Sequence, residues 1–278
     1  MKKMTTDSIM AYKKSLIRDE KSKATIEKYI HTLLILLAWL PNGAFDKETL
    51  LVWKQAFAAK HAASTVNTMV AAVNSYLEFC GYTDCKIKPM KVQRRIFRER
   101  ERELTKAEYL RLVEAAKEEG NERLQLILET LGSTGIRISE LRFITVQAVM
   151  NGQATVNCKG KCRPVLLSKT LRRVLKEYCR RKEITCGPVF ITTEGNPVDR
   201  SNIWKEMKRL CKAAKVDARK VFPHNLRHLF AVLYYKVTKD IAKLADLLGH
   251  ASISTTRIYL METGLSHQKQ LDRLALFI

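Results

Sequence analysis

Apolar residues recur every three or four positions along most of this 278-residue chain, and this spacing most constrains its fold because it is the spacing of amphipathic helices. In the first eighty residues it predicts four helices, in the segments TTDSIMAYKKSLI, SKATIEKYIHTLLILLAWL, DKETLLVWKQAFAAK and ASTVNTMVAAVNSYLEFCGY. Ser22, Asp46 and Ser64 are the predicted N-caps of the last three, because such side chains accept hydrogen bonds from the free N–H groups of a first turn. Together these segments predict a small helical bundle.

The stretch KIKPMKVQRRIFRERERELT, residues 86 to 105, interrupts this pattern. It is rich in Lys and Arg, contains Pro89 and lacks a sustained apolar face. We interpret it as a basic linker, since helical periodicity resumes directly after it. The predicted organisation is therefore a helical domain over residues 1–85, a linker over 86–103, and a second domain with a C-terminal tail over 104–278.

The second domain is predicted to be helical at both ends, with a small antiparallel sheet between. Thr105 and Glu108 have the spacing of a capping box, Gly249 suits a helix C-terminus, and Ser254 is the predicted N-cap of the last helix. Between them, VQAVMNGQATVNCKGKCRPVLLS alternates apolar and polar residues as strands do. Asn151-Gly152 predicts a tight hairpin turn and KGK a second turn. The predicted apolar face of this sheet consists of Val149, Val156, Val165 and Leu167.

The charge balance indicates a polyanionic partner. Fifty Lys and Arg against 28 Asp and Glu give a formal net charge of +22, which favours nucleic acid. An anionic membrane surface is the competing interpretation, but the sequence shows no long apolar segment, signal peptide or lipidation motif. We therefore expect a cytoplasmic protein that does not bind membranes.

The seven cysteines argue against a disulfide framework and against structural zinc. They are odd in number, scattered, and never spaced as CxxC, so reduced thiols are expected. The sequence also offers no carboxylate cluster at metal-ligand spacing. Cleavage of a phosphodiester, if this chain performs it, would then depend on side chains alone, with no metal.

Several side chains have the chemistry that such cleavage needs. His224 and Arg227 lie three apart at a helix start behind Pro223, where they can hold an anion, and Arg137 follows a Gly-containing turn at another helix start. Lys159 is at the tip of a predicted hairpin, and Tyr259 offers a phenolic nucleophile. Each has an ordinary alternative, as a surface charge, a structural histidine or a packed tyrosine, and His228 is expected to be a packing or surface residue.

The arrangement as a whole resembles the tyrosine recombinase family, the phage integrases and Xer-type enzymes. TGIRISEL, the hairpin lysine, HNLRH and LLGHASISTTRIYL occur in the family's order, over about residues 100 to 265. The N-terminal bundle resembles the family's core-binding domain in helix pattern. The resemblance implies a mainly α, two-domain DNA clamp with a small antiparallel sheet. Unlike many phage and transposon integrases, this chain is expected to have no arm-binding domain before the bundle.

The resemblance also implies roles for individual residues. Arg137 and Arg227 would clamp the scissile phosphate, with Glu140 as acidic support. Tyr259 would attack phosphorus to give a 3′-phosphotyrosyl link, without ATP or any cofactor. His224 would be the histidine of the family's HxxR pair, and His250 the second histidine, which positions the phosphate or the nucleophile. Lys159 would protonate the departing 5′ oxygen; the hairpin is one residue shorter than the common pattern, so Lys161 remains a rival.

The implied partner is double-stranded DNA carrying a specific recombination site. A free monomer would assemble on DNA as a homotetramer, exchanging strands through a Holliday junction with the tail SHQKQLDRLALFI docked on a neighbour. The candidate DNA contacts outside the catalytic set are Lys28, Asn67, Arg94 and Arg95. Integration or excision of a mobile element is the expected use; the alternatives are Xer-type dimer resolution, a type IB topoisomerase, and a DNA-binding regulator without catalysis.

Overall fold

The structure, a computed structural model, describes residues 2–92, 102–158 and 161–260, with only the backbone described for Cys158 and Lys161. The chain forms two compact units, Met1–Arg94 and Arg95–Ile278. The described part is mainly helical and has two small antiparallel sheets of two strands each, which confirms the predicted fold class. No helix in the described ranges is long and apolar enough to cross a membrane.

The first unit contains the four predicted helices. These are α1 (Thr6–Arg18), α2 (Lys23–Trp39), α3 (Lys47–Ala58) and α4 (Ala63–Phe79). The side chains of Ser22 and Asp46 accept hydrogen bonds from Thr25 N and Thr49 N, which confirms both as N-caps. The prediction for Ser64 was wrong: α4 begins earlier, after Ala62, without a side-chain cap, so Ser64 lies inside its first turn.

The core of the first unit is apolar and built from all four helices. Its largest fully buried side chains include Tyr12, Trp53 and Tyr76. The strands β1 (Lys2–Lys3) and β2 (Ala44–Phe45) pair beside it. Buried aromatic side chains of this size remove a large apolar area from water and so stabilise the bundle.

The segment directly after this bundle is held against it by two asparagines. Asn74 bonds both backbone groups of Ile87, and Asn67 bonds both backbone groups of Met90. Ile87 is buried in the core of the first unit. The beginning of the stretch predicted as linker therefore packs as part of the bundle, because its backbone polar groups find partners there.

The second unit is built around eight helices in its described part. They are α5 (Lys106–Glu118), α6 (Glu122–Thr134), α7 (Val146–Asn151), α8 (Lys169–Arg181), α9 (Arg200–Ala213), α10 (Pro223–Thr238), α11 (Ile241–Leu248) and α12 (Ile253–Arg257). Thr105 and Glu108 bond each other's backbone N–H at the start of α5, which confirms the capping box. Short 3-10 turns, Ile138–Phe143 and Ile258–Leu260, carry site residues.

The sheet of the second unit differs from its prediction at one turn. Residues 146–151 form α7 rather than a strand, and Gly152 ends that helix in the left-handed region, with φ of 79°. Arg172 donates hydrogen bonds to the last carbonyls of this helix, on Val149 and Met150. The predicted Asn151-Gly152 hairpin was therefore wrong, because Gly152 supplies its positive φ to a helix C-cap.

A single hairpin remains in this region, formed by β3 (Gln153–Cys158) and β4 (Lys161–Leu166). Val156 and Val165 are buried in the core of the second unit, as predicted, and Leu167 follows directly after β4. The tip between the strands, residues 159 and 160, lies outside the described residues.

The last helices position the C-terminal site residues. Gly249 ends α11 with φ of 65°, as predicted. The N-cap of α12 is Ser252, whose side chain accepts from Ser254 N, so the prediction of Ser254 as the cap was wrong by two residues. After Gly249 the chain reverses, so that α12 packs against α11 and the turn Ile258–Leu260 packs against α10.

Candidate active site

The start of α10 supplies two of the predicted site residues. Pro223 occupies its first turn, where a fixed φ and a missing N–H carry no penalty. His224 and Arg227, one turn apart, differ in environment: His224 is exposed, whereas Arg227 is 2% exposed. A substrate that binds here would cover the exposed imidazole of His224 and approach the buried guanidinium of Arg227.

Arg227 is held by three acceptors from distant parts of the chain. Its Nη1 donates to Gly135 O at 2.6 Å, and its Nη2 donates to Leu248 O at 2.6 Å and lies 3.0 Å from His250 Nε2. Within the described residues its buried Nε has no hydrogen-bond partner. Burial, reinforced by the positive charge of Arg137, lowers the pKa of Arg227 to about 10, so this guanidinium stays charged at neutral pH.

Glu140 links two further arginines at one carboxylate. Its Oε1 accepts from Arg137 Nη1 at 2.9 Å, and its Oε2 accepts from Arg163 Nη2 at 2.6 Å and from the Arg137 backbone N at 2.8 Å. The Glu140 side chain is 2% exposed, whereas that of Arg137 is 41% exposed. The carboxylate therefore anchors Arg137 from behind and leaves much of its guanidinium open to an incoming anion.

His250 follows Gly249 and sits between α10 and α12. Its Nδ1 is 2.8 Å from Thr256 Oγ1, and its Nε2 contacts Arg227. Burial lowers the pKa of His250 to about 4, and the charges of Arg227, Arg137 and Arg163 act in the same direction. The imidazole is therefore neutral at physiological pH.

Tyr259 lies on the 3-10 turn and is 8% exposed. Its hydroxyl is 3.3 Å from His224 Nε2. Three imidazoles surround its ring, with centroids 5.3 Å away for His224, 5.7 Å for His228 and 5.4 Å for His250. The phenol is thus oriented by packing on several sides, within hydrogen-bond reach of one histidine.

His228 is buried, at 2% exposed, and its Nε2 lies 3.6 Å from Glu103 Oε1. It stacks on Tyr259 at an interplanar angle of 28°. The sequence predicted either a packing or a surface role for His228, and the structure confirms packing.

The structure brings five of the six predicted catalytic residues, with Glu140, into one region of the second unit. Lys159 lies outside the described residues, as do Arg94, Arg95 and the tail; of Lys161 only the backbone is described. In the first unit, the side chain of Lys28 is exposed on α2. Asn67 uses both ends of its amide to hold the backbone of Met90.

Two residues of the site were missed by sequence reasoning, Arg163 and Thr256. Arg163 bonds Glu140 and also donates to Leu247 O at 2.8 Å, which ties the hairpin to the end of α11. Thr256 is fully buried against His250. Their position offered a signal: Arg163 is on the strand that returns from the lysine-bearing tip, and Thr256 is one helical turn before Tyr259.

The assembled groups have the charge and the hydrogen-bond donors to hold an anion. Three guanidinium groups and one carboxylate leave an excess of positive charge, beside a neutral imidazole and an oriented phenol. Guanidinium forks match the geometry of phosphate oxygens. A phosphodiester at this position would meet cationic donors and a hydroxyl nucleophile together.

Comparison with known proteins is consistent with this chemistry. Residues 102–264 match the model of the phage integrase family. The chain is 32% identical to tyrosine recombinase XerD of Halalkalibacterium halodurans over 49% of its own length and 48% of that protein's, so it spans about half of this relative. It is 31% identical to tyrosine recombinase XerC of Roseiflexus sp. over 75% of its own length and 70% of that protein's.

A solved structure shares the fold at lower identity. The crystal structure of a lambda integrase tetramer bound to a Holliday junction matches with a TM-score of 0.72 and 17% identity, over 92% of this chain and 77% of that one. At this identity the match concerns the fold alone.

Proposed function

Because this chain belongs to the phage integrase family of tyrosine recombinases, we propose that it cleaves and rejoins DNA at a specific site through a 3′-phosphotyrosyl intermediate. One observation carries the proposal: Arg227, His250, His224 and Tyr259 form a continuous chain of contacts, although they lie up to 35 positions apart in sequence. A packed tyrosine without catalytic function would not need a buried guanidinium within this cluster.

The first step is an in-line attack of Tyr259 Oη on the scissile phosphorus. An O–P bond forms to the phenol, and the bond from phosphorus to the 5′ oxygen breaks. Arg137, with its exposed guanidinium, and Arg227 would donate to the non-bridging oxygens as negative charge builds on them. The link to Tyr259 conserves the bond energy, so the 5′ hydroxyl of another strand can reverse the step.

His224 is the proposed acceptor of the phenolic proton. A base must lie within hydrogen-bond reach of the proton it removes, and His224 Nε2 is 3.3 Å from Tyr259 Oη. The imidazole is exposed, so it can pass the proton to solvent. His250 shapes the phosphate site through its contact with Arg227.

The departing 5′ oxygen needs a proton donor, and Lys159 is our proposal, with Lys161 as its rival. β3 and β4 pair up to Cys158 and Lys161, so the connecting tip contains Lys159. Arg163, two residues after Lys161 on β4, fixes this hairpin to Glu140 and Leu247 O. A lysine at the tip is thereby tethered to the same structure that holds Arg137.

The proposed partner is double-stranded DNA with a specific recombination site, bound by four copies of this chain. The net charge of +22 supports a polyanion, and the lambda integrase match is to a tetramer on a Holliday junction. The basic residues Lys28, Arg94 and Arg95 are proposed to contact the backbone. Because its substrate is DNA, we place the reaction in the cytoplasm.

The biological use we propose is integration or excision of a mobile element, with dimer resolution as the alternative. The lambda integrase fold supports the first, and the relatives named XerC and XerD support the second. DNA drawn from the ends of an element and DNA from the chromosomal terminus would serve as competing substrates. The substrate that becomes covalently attached identifies the use.

The direct test of activity uses nicked suicide substrates that trap the covalent intermediate. Wild-type protein should give a slowly migrating protein–DNA band on a denaturing gel, and Tyr259→Phe should give none. Tyr234→Phe, on a half-buried tyrosine of α10 outside the proposed mechanism, is the matched control and should keep the band. Relaxation of a plasmid that lacks any site would instead favour a type IB topoisomerase, and DNA binding without an adduct would favour a regulator.

A further inference from the structure

We infer that Thr256 is a positioning residue that, in the DNA-free protein, fixes His250 as the tautomer with its proton on Nδ1, so that His250 aligns Arg227. The catalytic consequence rests on the proposed function. The tautomer is a property of the protein alone and can be tested without DNA.

The assignment follows from the donors and acceptors around the ring. A guanidinium has only N–H donors, so His250 Nε2, 3.0 Å from Arg227 Nη2, must present its lone pair. A neutral imidazole then carries its proton on Nδ1, and the group facing Nδ1 at 2.8 Å is Thr256 Oγ1. The threonine hydroxyl therefore accepts this proton in a hydrogen bond, and the ring satisfies both neighbours in one tautomer only.

Thr256 is rigidly placed for this task. It is 0% exposed, on the inner face of α12, and its β-branched side chain has few rotamers in a helix. The preceding residue, Thr255, is exposed on the same helix. Comparing substitutions at these two adjacent threonines therefore distinguishes an effect on His250 from a general effect on the stability of α12.

The charges around His250 keep the ring neutral. Four positively charged or titratable side chains face the His250 ring: Arg227 and His224 on α10, Arg163 on β4, and Arg137 directly before the 3-10 turn Ile138–Phe143. The ring of Tyr259 stacks on that of His250 at an interplanar angle of 18°. A second proton would have to sit on Nε2, facing the Arg227 guanidinium, and would remove the acceptor that holds Nη2. In the DNA-free protein, Nε2 is therefore the acceptor that holds Arg227 Nη2 in place.

Nitrogen-15 NMR of the histidine rings in the DNA-free protein tests the tautomer directly. We expect His250 of the wild type and of Thr255→Val to have a protonated Nδ1 and an unprotonated Nε2. In Thr256→Val, which keeps the side-chain shape but removes the acceptor, the Nε2-H tautomer should gain population. Thr256→Ser should restore the wild-type pattern.

Covalent adduct formation on a suicide substrate tests the consequence. Thr256→Val loses the hydrogen bond from His250 Nδ1. This loss should slow adduct formation at saturating DNA about tenfold, without changing the Kd for DNA. Thr256→Ser and Thr255→Val should react at the wild-type rate. Urea unfolding of all four proteins identifies any variant that has lost its fold; if Thr256→Val is that variant, the tautomer of wild-type His250 decides the inference.

Two results would overturn the inference. One is a wild-type His250 with a protonated Nε2; the other is a folded Thr256→Val with both the wild-type tautomer and the wild-type rate. If the wild type forms no adduct on any substrate, the proposed function fails, while the NMR result still decides the tautomer.

Discussion

Replacing Glu140 with Gln should both destabilise the protein and slow catalysis. The Glu140 carboxylate accepts from Arg137 Nη1 at 2.9 Å and from Arg163 Nη2 at 2.6 Å, and its side chain is 2% exposed. Gln keeps the shape but loses the charge, and its amide N–H₂ would face a donor. Removing one partner of a buried ion pair costs about 3–5 kcal/mol. Because Arg137 is 41% exposed and stays hydrated, we expect the lower end, about 3 kcal/mol.

Urea unfolding followed by circular dichroism measures this change in the free energy of unfolding. Glu177→Gln is the matched control, since Glu177 also contacts two arginines, Arg180 and Arg181, but at the exposed surface of α8. The control should show no measurable change. Adduct formation should fall only in Glu140→Gln, where Arg137 and Arg163 lose their common anchor. Equal stability losses in both variants would refute the argument that burial gives Glu140 its importance.

Three further predictions concern other parts of the site. Gly249→Ala should lower the free energy of unfolding in urea more than Gly120→Ala does. Both glycines have positive φ, but a Cβ on Gly249 would lie 2.2 Å from Arg163 Cδ, whereas a Cβ on Gly120 would have nothing within 4 Å. Equal losses in the two variants would contradict the clash. The unfolded state binds the His250 proton near pH 6.5 and the folded state only near pH 4, so stability present above pH 6.5 is lost as the pH falls towards 4. Relative to His250→Gln, wild-type protein should lose about 2 kcal/mol of unfolding free energy between about pH 7 and pH 5, and a constant difference would contradict the lowered pKa. A substrate with sulfur in place of the bridging 5′ oxygen, which leaves without a proton, should rescue cleavage by Lys159→Ala and leave Lys161→Ala unchanged; rescue of Lys161→Ala instead would reassign the general acid.

Local signals in the sequence predicted much of the secondary structure because they act within one turn. Ser22, Asp46 and Thr105 cap helices through hydrogen bonds that span three residues. Ser64 misled because α4 begins two residues earlier than a cap at Ser64 would place it, with Ala62 as the N-cap. Asn151-Gly152 misled because a glycine with positive φ is equally suited to a hairpin turn and to a helix C-terminus. The helix end is stabilised by hydrogen bonds from Arg172, which lies twenty residues later in the sequence.

The candidate site shows the same difference between residues marked by local motifs and residues placed by long-range contacts. Arg137, His224, Arg227, His250 and Tyr259 were predicted because short motifs in a fixed order carry them. Arg163 was missed because its partners, Glu140 and Leu247, are 23 and 84 positions away, and no local pattern records such pairs. Asn67 has a side chain typical of a DNA contact, but its amide is used by the backbone of Met90, which only the folded chain shows.

The central claim is that one phenol among the nine tyrosines of this chain attacks the scissile phosphorus. Peptide mass spectrometry of the trapped protein–DNA adduct, after nuclease digestion, tests it most directly. We expect a single nucleotide-bearing peptide whose fragments place the phosphate on Tyr259, with a free 5′ hydroxyl on the released strand. A nucleotide on any other residue, or a free 3′ hydroxyl beside a 5′-linked protein, would contradict the account.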